Sequence, residues 1–264
     1  MKSKVEIRSC SVIKHNTSKF SQGFEWFTER LSINHNRELR FYDWYGENEF
    51  KYLKVPKLLE KSGKHITLER LFELPNTIVD ISKLKPALIE FMMVGRNKSF
   101  KLTDYFSSPT QSIIRGLILN ARFLGVRAIV NTLSHLLRLK LNRPKNLPVS
   151  LIHKDLKTDQ NLIVTASGVY FIDFGSSVLT RDYFLTDIVE LSTDHVNLSI
   201  DFDVIKEIVS SLDFKCNQKY IQSQLYLLLL RRYMHFPKVD RENKEKMKKI
   251  KLFIHDLNSI VEKY

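Results

Sequence analysis

Apolar and polar positions follow two different rhythms along this chain. Residues 5–14 alternate loosely and include the β-branched Val5, Val12 and Ile13, the pattern of a strand. Residues 24–45 then carry Phe24, Phe27, Leu31, Leu39, Tyr42 and Tyr45 at helical spacing, interrupted near Asn34-His35-Asn36. Residues 54–59 and 65–70 read as short strands flanking Lys61-Ser62-Gly63-Lys64, and a Ser-Gly pair between two such runs predicts a hairpin. From 81 to 141 the period turns helical, with no proline between Pro109 and Pro144, and Asn142-Arg143-Pro144 ends that block. The triplets Leu162-Ile163-Val164 and Tyr170-Phe171-Ile172 lie on either side of Thr165-Ala166-Ser167-Gly168 and predict a second tight hairpin. The remainder, 184–264, again reads as helices, including the apolar run 225–230. No internal repeat and no low-complexity linker interrupts this layout.

Composition narrows the class. With 43% hydrophobic and 27% charged residues over 264 positions, the chain has the mix of a globular protein large enough for one big domain or two small lobes. Cys10 and Cys216 are its only cysteines, too few for a disulfide framework, so a reduced, cytoplasmic setting is expected. The opening Met1-Lys2-Ser3-Lys4-Val5-Glu6 lacks the apolar run of a signal peptide. Arg115, Arg122, Arg127 and Arg138 break the most apolar helical stretch, which argues against a spanning helix. Net charge is +13, and residues 115–145 hold seven Lys or Arg and no Asp or Glu. Such a surface favours anionic partners, including peripheral contact with an anionic membrane face. No nucleic-acid motif accompanies the charge, so no specific nucleic acid is expected.

The chemistry concentrates between residues 151 and 175. There His153-Lys154-Asp155-Leu156-Lys157-Thr158-Asp159-Gln160-Asn161 is followed, across the second hairpin, by Asp173-Phe174-Gly175. Phosphoryl transfer needs a carboxylate at the acceptor hydroxyl, oxygen ligands for Mg²⁺, and positive charge on the phosphates. Asp155 is expected to supply the carboxylate, Lys157 to reach the γ-phosphate, and Asp173 to ligate the metal. His153 packs the loop.

On these residues the chain resembles the protein-kinase-like superfamily. Asp155 and Asp173 stand eighteen residues apart, similar to the spacing of catalytic and metal Asp in that family. The resemblance implies an α+β, bilobal fold: a reduced strand-rich N-lobe over 1–72 and a mainly helical C-lobe over 73–264. It implies ATP and Mg²⁺ as cofactors. Ungapped counting puts Gln160 at the family's metal-binding Asn, whereas the strand that follows Asn161 directly favours Asn161 through a one-residue bulge. Ser11-Val12-Ile13-Lys14 resembles the strand with the phosphate-binding Lys, and Arg37-Glu38-Leu39 the helix with its Glu partner; Lys19 and Glu29 are the alternatives. Backbone groups at Glu69 to Leu71 correspond to those that bind the adenine edge. Asp187 resembles the Asp that ties down the catalytic loop.

Two departures qualify the likeness. Thirteen residues and no glycine precede Lys14, so no Gly-rich phosphate loop is visible and a non-catalytic pseudokinase binding module is the alternative. No Ala-Pro-Glu follows Gly175, and only eleven residues separate it from Asp187. That leaves no long activation segment. The pattern resembles the aminoglycoside, choline and lipopolysaccharide-core kinase branch, whose members phosphorylate a small-molecule or glycan hydroxyl. The acid-free basic stretch points toward a lipopolysaccharide-core or other sugar acceptor, at the inner face of the membrane, over a cationic aminoglycoside.

Overall fold

The N-terminal strand folds back on itself. In a computed structural model, β1 (Lys4–Ile7) and β2 (Ser11–His15) pair antiparallel, with Val5 opposite Lys14 and Ile7 opposite Val12. The Arg8 N–H donates to the Ser11 carbonyl at 2.8 Å, closing a turn that contains no glycine. The single strand expected over 5–14 is therefore a hairpin; Arg8-Ser9-Cys10 carries none of the Gly or Pro signals that mark a reversal. The structure describes residues 4–15, 25–62, 65–74, 79, 81–97, 100, 109–156, 161–194, 198–234 and 244–264, without side chains at 4, 25–34, 82, 109, 112 and 194. These fall into two compact units, Met1–Tyr105 with Val149–Leu179, and Phe106–Pro148 with Thr180–Tyr264.

In the first unit, α1 (Glu25–Gly46) runs unbroken through Asn34-His35-Asn36, where an interruption was expected. Packing overrides the weak propensities there. His35 is buried with its Nε2 3.4 Å from the Ser62 carbonyl, and Arg37, Glu38, Phe41 and Tyr42 are buried beyond it. The hairpin of β3 (Leu58–Lys61) and β4 (His65–Glu69) completes an antiparallel sheet ordered β1-β2-β4-β3. As an inner strand, β4 buries Ile66, Thr67 and Leu68 in succession.

Next comes α2 (Ile81–Met93), which contains Pro86 and ends in a 3₁₀ turn, Val94–Arg96. Its Glu90 accepts the N–H groups of Lys51, Tyr52 and Leu53 at 2.6–2.8 Å, fixing the segment that leads into the sheet. Gly95 lies against the backbone at Ser150 and Leu151. A Cβ there would fall 2.6 Å from both Ser150 C and Leu151 N, so only glycine fits. After it, β5 (Ser150–Ile152) is fully buried, β6 (Leu162–Thr165) and β7 (Gly168–Phe171) form the expected hairpin, and β8 (Val178–Thr180) pairs with β5.

The second unit is nearly all helix: α3 (Pro109–Leu141), α4 (Thr186–Leu191), α5 (Phe202–Ser210), α6 (Gln218–Tyr233) and α7 (Lys244–Val261), plus the two-residue strands β9 (Thr193–Asp194) and β10 (Ser199–Ile200). Buried on every side from Leu225 to Leu230, α6 is its core. Side-chain oxygens cap two of the helices: Asp201 accepts from Asp203 and Val204 on α5, and Asn217 from Tyr220 on α6. The fold is thus α+β, strand-rich first and mostly helical afterwards, as its two rhythms predict. No described helix is long and apolar enough to cross a membrane.

Candidate active site

Three charged groups from three distant parts of the chain meet within the first unit. Lys14 projects from β2, and its Nζ donates to Glu38 Oε1 on α1 at 2.7 Å and to Asp173 Oδ1 at 3.2 Å. The Lys14 and Glu38 side chains are only 16% and 7% exposed, whereas Asp173 is 54% exposed. Two carboxylates around one ammonium leave a surplus negative charge, and the protonation equilibria reflect it. Burial alone pulls Lys14 down, yet Glu38 and Asp173 together hold it above its ordinary value. Burial pushes Glu38 up, and Asp173 adds to this while Lys14 opposes it. The alternatives to this pair are not comparable: Lys19 lies outside the described residues, and so does the side chain of Glu29.

What aims Asp173 is the turn around it. Its backbone is left-handed (φ 64°, ψ 58°), a conformation costing on the order of 1 kcal/mol in an L-residue. Packing of the next residue holds it there. Phe174 is fully buried, stacked on Phe41 of α1 at 3.8 Å and edge-on to Tyr42 at 5.5 Å. His153 closes the other side, its ring 5.2 Å from Phe174 and its Nε2 donating to the Ile172 carbonyl at 2.8 Å. The buried Arg37 then donates to the Ser177 carbonyl at 3.0 Å. Consecutive turns of α1 thus grip the Asp173 turn through Arg37, Glu38, Phe41 and Tyr42. Burial, reinforced by Glu38 and Asp173, also holds the Tyr42 phenol well above its usual value. Of these four, sequence reasoning singled out Glu38; the aromatic stripe at 41, 42 and 45 was the available signal for the others.

Asp155 is half-buried three residues beyond β5, preceded by Lys154, itself left-handed at φ 69°. The loop after it is closed by Asn161, whose Nδ2 donates to the Asp155 carbonyl. Asn161 is 5% exposed, and its own carbonyl accepts from the Ile172 N–H at 3.1 Å, which fastens the loop to the strand entering Asp173. With Nδ2 engaged, Oδ1 is the end left for a cation, and it has no partner among the described residues. Lys157 and Gln160 lie outside the described residues. In the second unit, Asp187 is fully buried on α4, with its charge acting on Arg231 of α6.

Beside Lys14 lies a cavity of about 430 Å³. Val12, Leu68, Leu71, Ile163 and Ile172 give it apolar walls, flat enough in chemistry for a planar base. The Glu69 and Arg70 N–H groups are taken by Lys57 and Cys10 carbonyls, and the Glu69 carboxylate accepts the Lys57 N–H at 2.9 Å. Neither the N–H nor the C=O of Leu71 has a backbone partner among the described residues, so this peptide is free to pair with a base edge. Val12, Ile163 and Ile172 were not singled out beforehand, since a lining residue looks like any other apolar strand residue.

The donor set fits Mg²⁺. Asp173 and Asn161 offer hard oxygens, and the surplus negative charge around Lys14 favours a cation. Among the described residues no three or more His, Cys, Asp or Glu side chains converge. A sparse set like this suits an ion held mainly by water and phosphate.

No family model and no curated protein matches the sequence. Solved structures do. A choline/ethanolamine kinase family protein from Mesorhizobium loti is 10% identical, covering all of this chain and 86% of that one, at a TM-score of 0.62. A gentamicin complex of the aminoglycoside phosphotransferase APH(2″)-IIa is 15% identical over 96% of this chain and 87% of that one, at 0.55. A GDP complex of aminoglycoside 2′-phosphotransferase-IIIa is 11% identical over 98% and 90%, at 0.57. Identities this low bear on the fold, and on that the matches agree: the chain has the protein-kinase-like fold in the form shared by aminoglycoside phosphotransferases and choline kinase-like proteins.

Proposed function

We propose that this protein is an ATP- and Mg²⁺-dependent kinase that phosphorylates a hydroxyl of a small molecule or glycan. The observation that carries this is the meeting of Lys14, Glu38 and Asp173 beside an apolar cavity, with Asp155 and Asn161 on the adjoining loop. In this reading the base sits among Val12, Leu68, Ile163 and Ile172 and pairs with the backbone at Glu69 to Leu71. Lys14, held by Glu38, meets the α- and β-phosphates. Asp173 and Asn161 hold Mg²⁺, which when bound neutralises charge on the phosphates. Asp155 accepts the proton of the acceptor hydroxyl as its oxygen bonds to the γ-phosphorus and the bond to the ADP oxygen breaks. Lys157 follows the γ-phosphoryl group across.

Neighbours whose structures contain ADP, GDP, gentamicin, streptomycin or kanamycin support a nucleotide donor and a small-molecule acceptor. The charge of this chain separates it from acceptors of that kind. A polycationic aminoglycoside calls for an acidic pocket, whereas residues 115–145 carry no acid. A phosphorylated or acidic sugar, such as one of a lipopolysaccharide core, suits it better. One observation favours the pseudokinase alternative: the turn at residues 8–11 has no glycine to let backbone approach the phosphates.

Incubation with Mg·ATP and a panel of sugars, core oligosaccharides and aminoglycosides, followed by mass spectrometry, tests the reading. A product heavier by one phosphoryl group is expected, lost in Asp155→Asn while Mg·ATP binding persists. Equal turnover by Asp155→Asn would sink the proposal. A wild-type protein that binds Mg·ATP without transfer to any acceptor would favour the pseudokinase.

A further inference from the structure

Helix α3 bears two apolar faces, and only one is used. Asn120 (φ −117°, ψ 15°) and Gly125 (φ 76°, ψ 165°) leave helical geometry, so residues 126–141 form a segment of their own. Its inner face buries Ala128, Thr132, His135 and Leu139. His135 stacks on Tyr226 of α6 at 4.1 Å and bonds Asn258 of α7 at 2.8 Å. On the opposite side stand Val126, Val130, Leu133, Leu137 and Leu141, repeating the spacing of the buried set yet 56–78% exposed. A surface helix of a globular protein ordinarily needs one such stripe. Half of the sixteen large hydrophobic side chains exposed among the described residues belong to α3. They are therefore a patch rather than the usual scatter.

Charge decides what covers the patch. Arg138 and Lys140 stand on the same helical segment, with Arg122 before it and Lys145 after it in the chain; all four are exposed, and none has a carboxylate partner among the described residues. Arg127 leans on His255 at 3.1 Å, and Arg143 pairs with Asp182 at 2.7 Å. A second copy of the chain would bring the same cations face to face, which like-charge repulsion opposes. A nucleic acid would gain nothing from five aliphatic side chains. An anionic bilayer satisfies both parts: acyl chains for the stripe, phosphate headgroups for its rim.

We infer that residues 126–141 of α3 are a docking face for an anionic phospholipid membrane. The segment lies in the plane of the interface along about 22 Å. Val126, Val130, Leu133, Leu137 and Leu141 enter the acyl boundary while Arg138 and Lys140 extend to headgroup level. Charge alone suggests an affinity for anionic surfaces; the bare stripe names the face and gives it an apolar grip. The inference holds whether or not the chain transfers phosphate.

Co-sedimentation of the full chain with vesicles of phosphatidylcholine, with and without phosphatidylglycerol, tests it. Binding is expected to the mixed vesicles, weakening with salt, and little to the neutral ones. The double variant Leu133→Ser/Leu137→Ser keeps every charge and touches only exposed positions, so its melting temperature should match wild type while its partition falls on the order of tenfold. Arg138→Gln/Lys140→Gln should bind less and with a shallower salt dependence. Wild-type partition by the serine variant would overturn the inference, because net charge alone would then explain binding. So would failure to bind mixed vesicles, or a wild-type dimer in sedimentation velocity that the serine variant dissolves.

Discussion

Glu38→Gln removes a buried carboxylate while keeping its shape, and the consequences can be worked from the geometry. At 2.7 Å from Lys14 Nζ the gross attraction is ~6 kcal/mol with an effective dielectric of ~20. Both side chains are largely dehydrated, and the cost of dehydration offsets most of that attraction. Asp173 remains 3.2 Å from Lys14 as a second partner, which limits the damage further. The net loss is about 2 kcal/mol, or ~4–8 °C in melting temperature. Function should suffer as well: Lys14 then leans on Asp173 alone, the side chain proposed to take the metal, so kcat/KM and Mg·ATP affinity should each fall at least about tenfold. Scanning calorimetry and nucleotide titration on Glu38→Gln, Lys14→Met and the double variant measure this. If the two residues act as a pair, the double variant is little worse than the worse single one. Strictly additive losses, or an unchanged Mg·ATP affinity in Glu38→Gln, would refute the claim that this pair positions the phosphate-binding ammonium.

Four other perturbations probe separate parts of the structure. Gly95→Ala drives a methyl into the backbone at Ser150 and Leu151, so urea unfolding should show a loss of about 1–3 kcal/mol, with activity falling further as β5 shifts. Phe174→Ala empties the fully buried site between Phe41 and His153, for an expected loss of about 3–5 kcal/mol by the same measurement and a weakened Mg²⁺ dependence of nucleotide binding. Burial raises the pKa of Glu38, so the folded protein takes up this proton at a higher pH than the unfolded chain. This group alone therefore adds stability as pH falls, while Mg·ATP affinity drops because a neutral carboxyl no longer holds Lys14; affinity titrations run downward from neutral pH should show the drop setting in above the ordinary carboxylate range, and Glu38→Gln should flatten it. Burial pushes Cys216 up to about 11, leaving about a thousandth of it as thiolate near pH 8, whereas Cys10 is exposed. Brief maleimide treatment followed by mass spectrometry should find one adduct, on Cys10.

Legibility varied with how local each signal was. Both hairpins announced themselves through turn residues between apolar runs; that at 162–171 formed in place, whereas the first strand of the other, expected over 54–59, lies at Leu58–Lys61. The β1–β2 reversal has no such residues and read as one strand. The Asn34-His35-Asn36 stretch looked like a helix break because propensity is local, whereas the burial of His35 against the β3–β4 hairpin is not. Lys14 and Glu38 are twenty-four residues apart, and nothing in the intervening chain states that they touch. Lys19 and Glu29 stood as the fallback pair, and what singles out Lys14 and Glu38 is a contact between strand and helix that no local pattern encodes. The two faces of α3 were least legible of all. Buried Leu139 and exposed Leu137 are the same residue type in the same apolar stretch, and only packing against α6 and α7 distinguishes them.

One helix explains why the first unit's site is assembled as a whole. Within six residues, α1 supplies Arg37 to the Ser177 carbonyl, Glu38 to Lys14, Phe41 to the face of Phe174 and Tyr42 to its edge. These contacts reach the sheet on one side and the Asp173 turn on the other, so a slip of α1 by one residue would break all four together. The left-handed Asp173 depends on them, because its neighbour Phe174 is what they hold. The cluster of one ammonium and two carboxylates carries a surplus negative charge, and this adds to burial in pushing Glu38 toward protonation and toward release of Lys14. A cation at Asp173 would remove that surplus and strengthen the Lys14–Glu38 pair through charge alone. Metal with nucleotide should therefore tighten α1 against the turn, and hydrogen exchange in residues 37–42 should slow more with Mg·ATP than with ATP and a chelator. Equal protection under the two conditions would mean that α1 is set by apolar packing on Phe174, with no electrostatic link to the metal.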